Sequence, residues 1–271
     1  MSALVLTLRA RPPQRVDLSP LTPARLREAG DVARVELASG NRRLRVGDLF
    51  DVTPGDPGEI RIEGGCDRLD FIGRDMAEGM MIVEGDAGAY LGQGMRGGRL
   101  RVTGSVGPWA AAAMDGGFVG IGGDAGDFLG AALPGAMRGM SGGVVLVAGR
   151  AGARAGDRMR RGTLVVAGEV GPHAGSRMIA GTLVALGAAV GAYPGFLMRR
   201  GSLLLRRPAE RLLPTFADCG MHELGFLRLL AASLRGNGPY GALLDGLGIR
   251  VRRLVGDAAA GGQGEILVWE G

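Results

Sequence analysis

The chain has 271 residues, of which 52 are glycine and 4% are aromatic, and its 32 basic residues, all arginine, give a net charge of +5. No Gly-x-y period accompanies the glycine, which excludes collagen, and two cysteines, Cys66 and Cys219, provide neither a disulfide framework nor metal-ligand spacing. No N-terminal signal or membrane-length apolar stretch is visible, so we expect a cytoplasmic protein without membrane contact.

The first 57 residues read as a small α/β unit. Alternating residues at Ala3–Leu8 predict a strand, and Thr22 followed by Pro23 predicts the start of a helix over Pro23–Glu28. Further strands are predicted at Val32–Leu37 and Leu44–Val46. We expect residues 1–57 to cap the exposed strand edge of the segment that follows.

Residues 58–206 are dominated by a repeat of about 19 residues. It contains a Met, then Gly, an alternating apolar pair and a Gly-x-x-Gly turn, and a period of this length predicts a solenoid. Because the apolar residues alternate, each repeat is predicted to be a coil of short strands, giving a mainly β protein with a parallel β-helix. We expect the methionines to stack inside it: Met76, Met95, Met114, Met140, Met159, Met178 and Met198.

Two features of the repeat could face a partner. A second column, beside the methionines, holds Tyr90, Trp109, Phe128, Arg154, His173 and Tyr193, and it reads either as corner packing or as a docking stripe. An insertion around Gly130–Gly139, which includes Leu133, Pro134 and Met137, lengthens one repeat. Insertions in solenoids bulge outward and commonly meet partners.

The last 65 residues, 207–271, are expected to pack on the β-helix or on a partner. An outward-facing apolar strip, Leu146, Val165, Val184 and Leu204, needs a cover. The helical spacing of apolar residues over Asp218–Leu234 predicts an amphipathic helix suited to that task. Gly248–Leu254 and Gly264–Trp269 are predicted strands.

The candidate ligand-binding residues of this chain are arginines. His173 and His222 belong to no catalytic or metal motif, and no two carboxylates are placed as an acid–base pair. Arginines cluster on the last repeats, and equal phases stack in a solenoid, so a polyanion such as a polycarboxylate tail is a candidate ligand. The alternative is splayed, solvated arginines. The cluster comprises Arg154, Arg158, Arg160, Arg161, Arg177, Arg199 and Arg200.

Several segments resemble the C subunit of formylmethanofuran dehydrogenase and, more closely, the C subunit of the bacterial formyltransferase/hydrolase complex. The resemblance lies in Gly85-Asp-Ala-Gly88, in Gly149–Gly162 and in Leu213–Gly220, and Val46–Val52 and Gly256–Ile266 extend it over nearly the whole chain. The repeats alone also resemble the C-terminal domain of glutamate synthase large chains.

The resemblance implies a right-handed β-helix that acts as a non-catalytic scaffold and carrier-binding subunit. The implied complex transfers a formyl group from formyl-tetrahydromethanopterin to a methanofuran-type carrier and hydrolyses the product to formate, in formaldehyde oxidation. The implied partners are a formyltransferase-like D subunit and an amidohydrolase-like A subunit, with a B subunit as a further candidate. Zinc would lie in the A subunit, so this chain alone is expected to hold no metal, cofactor or catalytic residue.

Two other assignments remain open at this point. The first is the C subunit of a molybdenum- or tungsten-containing formylmethanofuran dehydrogenase, and the second is a structural β-helix domain like that of glutamate synthase. A nucleic-acid binder is disfavoured, because the arginines lack flanking aromatics on a groove-sized element.

Overall fold

The computed structural model describes residues 2–237 and 241–269. Strands predominate: β1 Ala3–Leu8, β2 Val16–Asp17, β3 Glu36–Ser39, β4 Arg42–Arg45, β5 Phe50–Thr53, β6 Asp56–Gly65, β7 Leu69–Asp70, β8 Met80–Gly85, β9 Arg99–Val102, β10 Phe118–Ile121, β11 Ser141–Val147, β12 Arg161–Val166, β13 Thr182–Ala185, β14 Arg200–Leu205, β15 Ala217–Glu223, β16 Arg250–Gly256 and β17 Gln263–Trp269. The α-helices in this part are α1 Pro23–Glu28, α2 Val46–Leu49 and α3 Phe226–Leu234.

Most strands belong to one 13-stranded sheet, in the order β15-β16-β17-β14-β13-β12-β11-β10-β9-β8-β6-β1-β5. From β6 to β14 every neighbouring pair is parallel. A second sheet has the order β4-β3-β2-β7. The described part of the chain is therefore mainly β, as predicted.

The period of the sequence reappears as the register of the strands. Leu100, Val119, Val145 and Leu164 lie side by side on successive strands. A second parallel ladder of single bridges runs through Ala87, Val106, Ala125, Ala151, Val170 and Val190. Each repeat therefore contacts the next at two places along its length, which is how a stack of repeats buries its apolar side.

The main core lies inside these repeats. The seven methionines predicted to stack there are all buried, with exposures of 0–1%, alongside the inward residues of the strands. Glycine is required where the chain passes close to the preceding repeat. At Gly98 the backbone has φ +75°, and a Cβ would lie 2.8 Å from the carbonyl oxygen of Gly79, so an L side chain would be both strained and obstructed.

The N-terminal segment agrees with the prediction in part. The bounds of β1 and α1 are as predicted, although the Thr22 side chain makes no capping hydrogen bond. The predicted strand at Val32–Leu37 is instead a 3-10 helix at Val32–Arg34 followed by β3, because the Asp31 side chain accepts a hydrogen bond from the Ala33 N–H. This segment shares the large sheet, since β1 pairs in parallel with β6.

The C-terminal segment corrects one prediction. The helix predicted over Asp218–Leu234 is α3 only, and its first part is β15, so His222 lies on a strand. Pairing with β16 outweighs the helical spacing of the apolar residues there. The strands predicted at Gly248–Leu254 and Gly264–Trp269 are present as β16 and β17.

The cover over the outward apolar strip is confirmed. A second buried cluster joins the strip residues to α3 and to the final strands, and it contains Leu146, Val165, Val184, Leu204, Leu227, Leu234, Leu244, Val251, Leu267 and Trp269. The bounds of the three segments, 1–57, 58–206 and 207–271, stay a prediction.

Candidate functional site

The candidate site is a groove along the edge at which β12 and β14 begin, and we call it the arginine groove. Its floor is Ile179 and Ala180, and its arginines are Arg158, Arg160, Arg161, Arg177, Arg199 and Arg200. The structure thus brings together six of the seven predicted arginines. The larger of its two depressions encloses about 560 Å³.

Strand register sets the spacing of the arginines. Thr163, Thr182 and Ser202 lie side by side. Counting back along each strand places Arg161 and Arg200 at one level, two repeats apart, with Ala180 between them. Arg160 and Arg199 flank Ile179 in the same way. Two strand spacings amount to about 10 Å, so two pairs of arginines lie at matching levels on either side of the uncharged Ile179 and Ala180.

The far wall of the arginine groove comes from the end of the chain. Strand β17 adds to β14 in parallel, which carries residues 258–263 to the groove. Arg200 Nε donates a hydrogen bond to Gln263 Oε1 at 2.7 Å. No sequence motif marks Ala259, Ala260, Gly261 and Gln263 as site residues, because only the pairing of β17 with β14 brings them here.

The arginines of the groove differ in how far their charge is already compensated. Asp157, whose exposure is 3%, accepts two hydrogen bonds from Arg177, at 2.9 and 2.7 Å. Arg158 lies one repeat from Arg177 and donates to the Ala136 carbonyl oxygen at 3.1 Å. The repeat spacing predicts an anion between Arg158 and Arg177, and Asp157 of the chain itself supplies a carboxylate beside Arg177.

The remaining groove arginines are free of carboxylates. Within residues 2–237 and 241–269, Arg160, Arg161 and Arg199 make no ion pair, and all three are exposed. Arg200 bonds only the neutral amide of Gln263. Guanidinium groups that are not paired internally are available for charge-assisted hydrogen bonds to carboxylates or phosphates.

Asp257 fixes the wall of the groove. Its carboxylate accepts the backbone N–H groups of Leu197, at 2.9 Å, and of Ala259, at 3.0 Å. Burial by itself would raise the pKa of Asp257, but the hydrogen bonds to the charged carboxylate outweigh it, so that the pKa lies below its ordinary value. The carboxylate therefore stays ionised and holds residues 258–260 beside Leu197.

The predicted docking residues divide into two groups. Leu133, Pro134 and Met137 of the insertion form one cleft with Trp109 and Phe128. Phe71, Tyr90, Trp109 and Phe128 stack with centroid separations of 4.8, 6.3 and 4.2 Å and near-parallel rings. All members of the predicted column have positive φ, between 59° and 66°, so they occupy one turn position in successive repeats.

The rest of the column lies apart from the cleft. Arg154, the seventh arginine, occupies the turn after Phe128 and does not line the arginine groove. His173 and Tyr193 follow at the far end, with ring centroids 5.9 Å apart. The Nδ1 atom of His173 is buried without a hydrogen-bond partner in the described chain. Met137, in contrast, is 71% exposed.

Two absences hold for the described residues. No group of three or more His, Cys, Asp or Glu side chains is arranged to hold a metal ion there. In the same part of the chain, no helix has the length and apolar character needed to span a membrane.

Comparison with known proteins gives concordant results. A crystal structure of the formyltransferase/hydrolase complex from Methylorubrum extorquens, in complex with methylofuran, contains a chain that aligns with a TM-score of 0.88 and 42% identity, over 98% of this chain and 100% of that one. No model of a known protein family matches the chain.

Sequence comparison with curated proteins finds shorter matches. The C subunit of the Methylorubrum extorquens complex is 44% identical over 85 residues, which is 31% of this chain and 32% of the relative. The C subunit of the tungsten-containing formylmethanofuran dehydrogenase 2 of Methanococcus maripaludis is 30% identical over 94 residues, or 33% of this chain and 35% of the relative. These matches thus span about a third of the length of the curated relatives.

The curated proteins that match the chain belong to one class, the C subunits of formyltransferase/hydrolase and formylmethanofuran dehydrogenase complexes. The structural match extends over the whole of the neighbouring chain. The chain belongs to the family formed by the C subunits of formyltransferase/hydrolase complexes.

Proposed function

We propose that the chain is the non-catalytic scaffold subunit of a formyltransferase/hydrolase complex and that its arginine groove binds the acidic tail of a methanofuran-type carrier. The complex would transfer a formyl group from formyl-tetrahydromethanopterin to the carrier and would then hydrolyse the formylated carrier to release formate. Family membership supports the first part, and the methylofuran present in the neighbouring complex supports a carrier at the assembly.

One observation carries the binding role. Arg160, Arg161 and Arg199 face the same floor and have no carboxylate partner in the described chain. Like charges held on neighbouring repeats repel one another unless an anion lies between them. A glutamate-rich tail supplies many carboxylates on one flexible chain, and an extended peptide covers the roughly 10 Å between the two arginine levels in about three residues.

Arg158 and Arg177 have a different part in this proposal. Arg177 is occupied by Asp157, and Arg158 bonds to the insertion. They shape the end of the arginine groove next to the cleft and leave most of the carboxylate binding to Arg160, Arg161, Arg199 and Arg200. Arg154 would at most extend the positive field along the column.

The architecture proposed for this role is a right-handed parallel β-helix over residues 58–206, between an N-terminal cap and a C-terminal cover. The parallel strand ladder and the second ladder of bridges support stacked coils. The exposed Met137 and the aromatic edges beside it are the proposed docking face for a partner protein, with the D and A subunits as candidates. Zinc is assigned to the partners.

Binding of a synthetic hexaglutamate to the full chain tests the groove. Replacing Arg160, Arg161 and Arg199 together by Gln should weaken binding at least about tenfold, because several charge-assisted hydrogen bonds are lost. Calorimetric titration at two salt concentrations would measure the affinity. The wild-type affinity should fall steeply with salt, and the affinity of the variant should fall less.

A matched control removes the same charge elsewhere. Arg34, Arg42 and Arg43 are exposed and lie in the N-terminal segment, so their joint replacement by Gln should leave hexaglutamate binding within about twofold. Equal loss in both variants would mean that only net charge matters, and the groove would no longer be the binding site.

One observation favours a second candidate function. The tungsten-containing formylmethanofuran dehydrogenases of Methanococcus maripaludis and Methanocaldococcus jannaschii include a similar C subunit, at 30% and 44% identity over 94 and 57 residues. The same scaffold could therefore serve a tungsten- or molybdenum-containing complex. The metal that accompanies the assembled complex distinguishes the two.

A further inference from the structure

A second basic depression lies at the opposite end of the strands from the arginine groove, and we call it the rim pocket. It encloses about 660 Å³, and its lining comprises Arg150, Ala167, Gly168, Glu169, Leu186, Gly187, Ala188, Arg206 and Arg207. About six residues of strand separate it from the arginine groove, or roughly 20 Å. The proposed carrier site does not include it.

The rim pocket lies beside a one-residue irregularity in the repeat. Val166 pairs with Ala185, and Val170 pairs with Val190. Three residues therefore connect the paired positions in one repeat and four connect them in the next. The additional residue lies within 186–189, where the backbone leaves the regular stack beside the rim of the pocket.

The side chains at one position of successive repeats change from hydrogen-bond acceptors to arginine at the repeat that begins the rim pocket. In the earlier repeats, acceptor side chains bind the backbone of the next repeat: Asp86 accepts the Ser105 N–H at 2.7 Å, Ser105 accepts the Asp124 N–H at 3.0 Å, and Asp124 accepts the Arg150 N–H at 2.8 Å. Arginine has no acceptor, so the series ends at Arg150. No described residue accepts the backbone N–H of Glu169 or Ala188.

Three arginines line the same pocket as these two residues. Arg150 lies 3.6 Å from Asp124, a loose pair, and Arg206 and Arg207 are exposed and make no ion pair with a described residue. The side chains of Ala167, Leu186 and Ala188 complete the lining. Glycine is required at position 187 because the two repeats approach closely there: a Cβ at Gly187 would lie 2.3 Å from the carbonyl group of Gly168.

We propose that the rim pocket binds a phosphate group. Arginine forks combined with main-chain N–H groups that have no partner in the described chain match the oxygens of a phosphate, which accepts several charge-assisted hydrogen bonds at once. The single carboxylate of Glu169 leaves the lining with a positive balance. The ligand class is inorganic phosphate or a phosphomonoester, and the site is independent of the carrier site.

Calorimetric titration of the full chain with inorganic phosphate, glycerol phosphate and pyrophosphate tests the proposal. We expect one phosphate ligand to bind per chain. The double variant Arg206→Gln, Arg207→Gln should bind that ligand about tenfold or more weakly. Preference for glycerol phosphate over inorganic phosphate would identify an ester as the ligand, and the reverse would identify the free ion. The groove variant of Arg160, Arg161 and Arg199 should bind phosphate normally.

A second variant avoids reliance on one fold-sensitive change. Ala188 is exposed, and Ala188→Asp would place a carboxylate in the rim pocket without removing an arginine. This variant should no longer bind phosphate, and its unfolding midpoint should equal that of the wild type. Absence of binding to the wild type at millimolar phosphate, or equal binding by wild type and both rim variants, would overturn the proposal. Binding of hexaglutamate at the rim pocket in place of phosphate would also overturn it.

Discussion

At the scale of single residues, the role of each arginine depends on its neighbours rather than on its charge. Arg177 and Arg199 both line the arginine groove, but Arg177 is bonded in a two-point geometry to the buried Asp157, whereas Arg199 has no carboxylate partner in the described chain. A buried, two-point pair stabilises the fold because breaking it leaves a charge without a partner. An unpaired exposed arginine contributes little to folding and is available to a ligand.

Replacing Asp157 by Asn should therefore destabilise the protein by about 2 kcal/mol, since the half-buried Arg177 loses both hydrogen bonds to the buried carboxylate of Asp157. Urea unfolding would measure the change. The matched control is Asp245→Asn, because Asp245 pairs with Arg235 at 3.2 Å where both side chains are exposed. That change should cost less than about 1 kcal/mol. Equal costs would show that burial of the Asp157 pair adds nothing.

The carboxylate of Asp257 predicts a dependence of stability on pH. Its pKa is lowered in the folded state, because hydrogen bonds to the carboxylate outweigh the effect of burial. A lowered pKa contributes stability that is fully present above the unfolded value of 3.8 and is lost as pH falls through the folded value. Asp257→Asn should remove this part of the acid sensitivity.

The measurement for Asp257 is the urea midpoint between about pH 2 and pH 6 for wild type and variant. The gap between them should be largest near neutral pH and should narrow as the pH falls below 3.8. A gap that stays constant over the whole range would contradict the assignment of the pKa shift to the hydrogen bonds on Asp257.

At the scale of elements, helix α3 shows why one strip of the sheet can be apolar on its outer face. Leu227 and Leu234 of the helix belong to the buried cluster with Val184 and Leu204. The opposite side of the same helix carries Leu229, which is 72% exposed. The helix therefore stabilises the sheet through one face only.

Leu227→Ala should destabilise the protein by about 2–4 kcal/mol, because it leaves a cavity between α3 and the strip. Leu229→Ala removes the same atoms from an exposed position on the same helix and should change stability by less than about 0.5 kcal/mol. Chemical unfolding of both variants measures the difference. Similar values for the two would mean that α3 does not cover the strip in solution.

At the scale of the whole molecule, the described chain offers several surfaces around one large sheet. The arginine groove adjoins the cleft of the insertion, with which it shares Met137, Arg158 and Arg177, whereas the rim pocket shares no lining residue with either. This is the arrangement that the proposed function requires.

Co-purification from the native cell tests that arrangement. The tagged chain should bring down formyltransferase-like and amidohydrolase-like chains together with zinc and without molybdenum or tungsten. Molybdenum or tungsten with iron–sulfur chains would select the dehydrogenase assignment instead. Recovery of the chain alone, under gentle conditions, would contradict the scaffold function while leaving the phosphate test of the rim pocket unaffected.

Much of the fold could be predicted because the repeat is local and periodic. Each run of Met, Gly and alternating apolar residues defines its own strand and turn, and stacking in register then follows from the constant spacing. The same periodicity places Arg160 with Arg199 and Arg161 with Arg200. By contrast, β15 was predicted as part of a helix, because apolar spacing does not reveal that β16 returns to pair with it.

The amino-acid sequence by itself determines the strands of the repeats, the buried methionines, the aromatic column and the levels of the arginines. Each of these depends on the position of a residue within its repeat. Only the tertiary structure shows which arginines already pair with a carboxylate of the chain. It alone also shows which residues form the far wall of the arginine groove. Asp157 meets Arg177 across a repeat boundary, and residues 258–263 arrive through the addition of β17 to β14. Both depend on where distant segments of chain meet, and no local pattern encodes such a meeting.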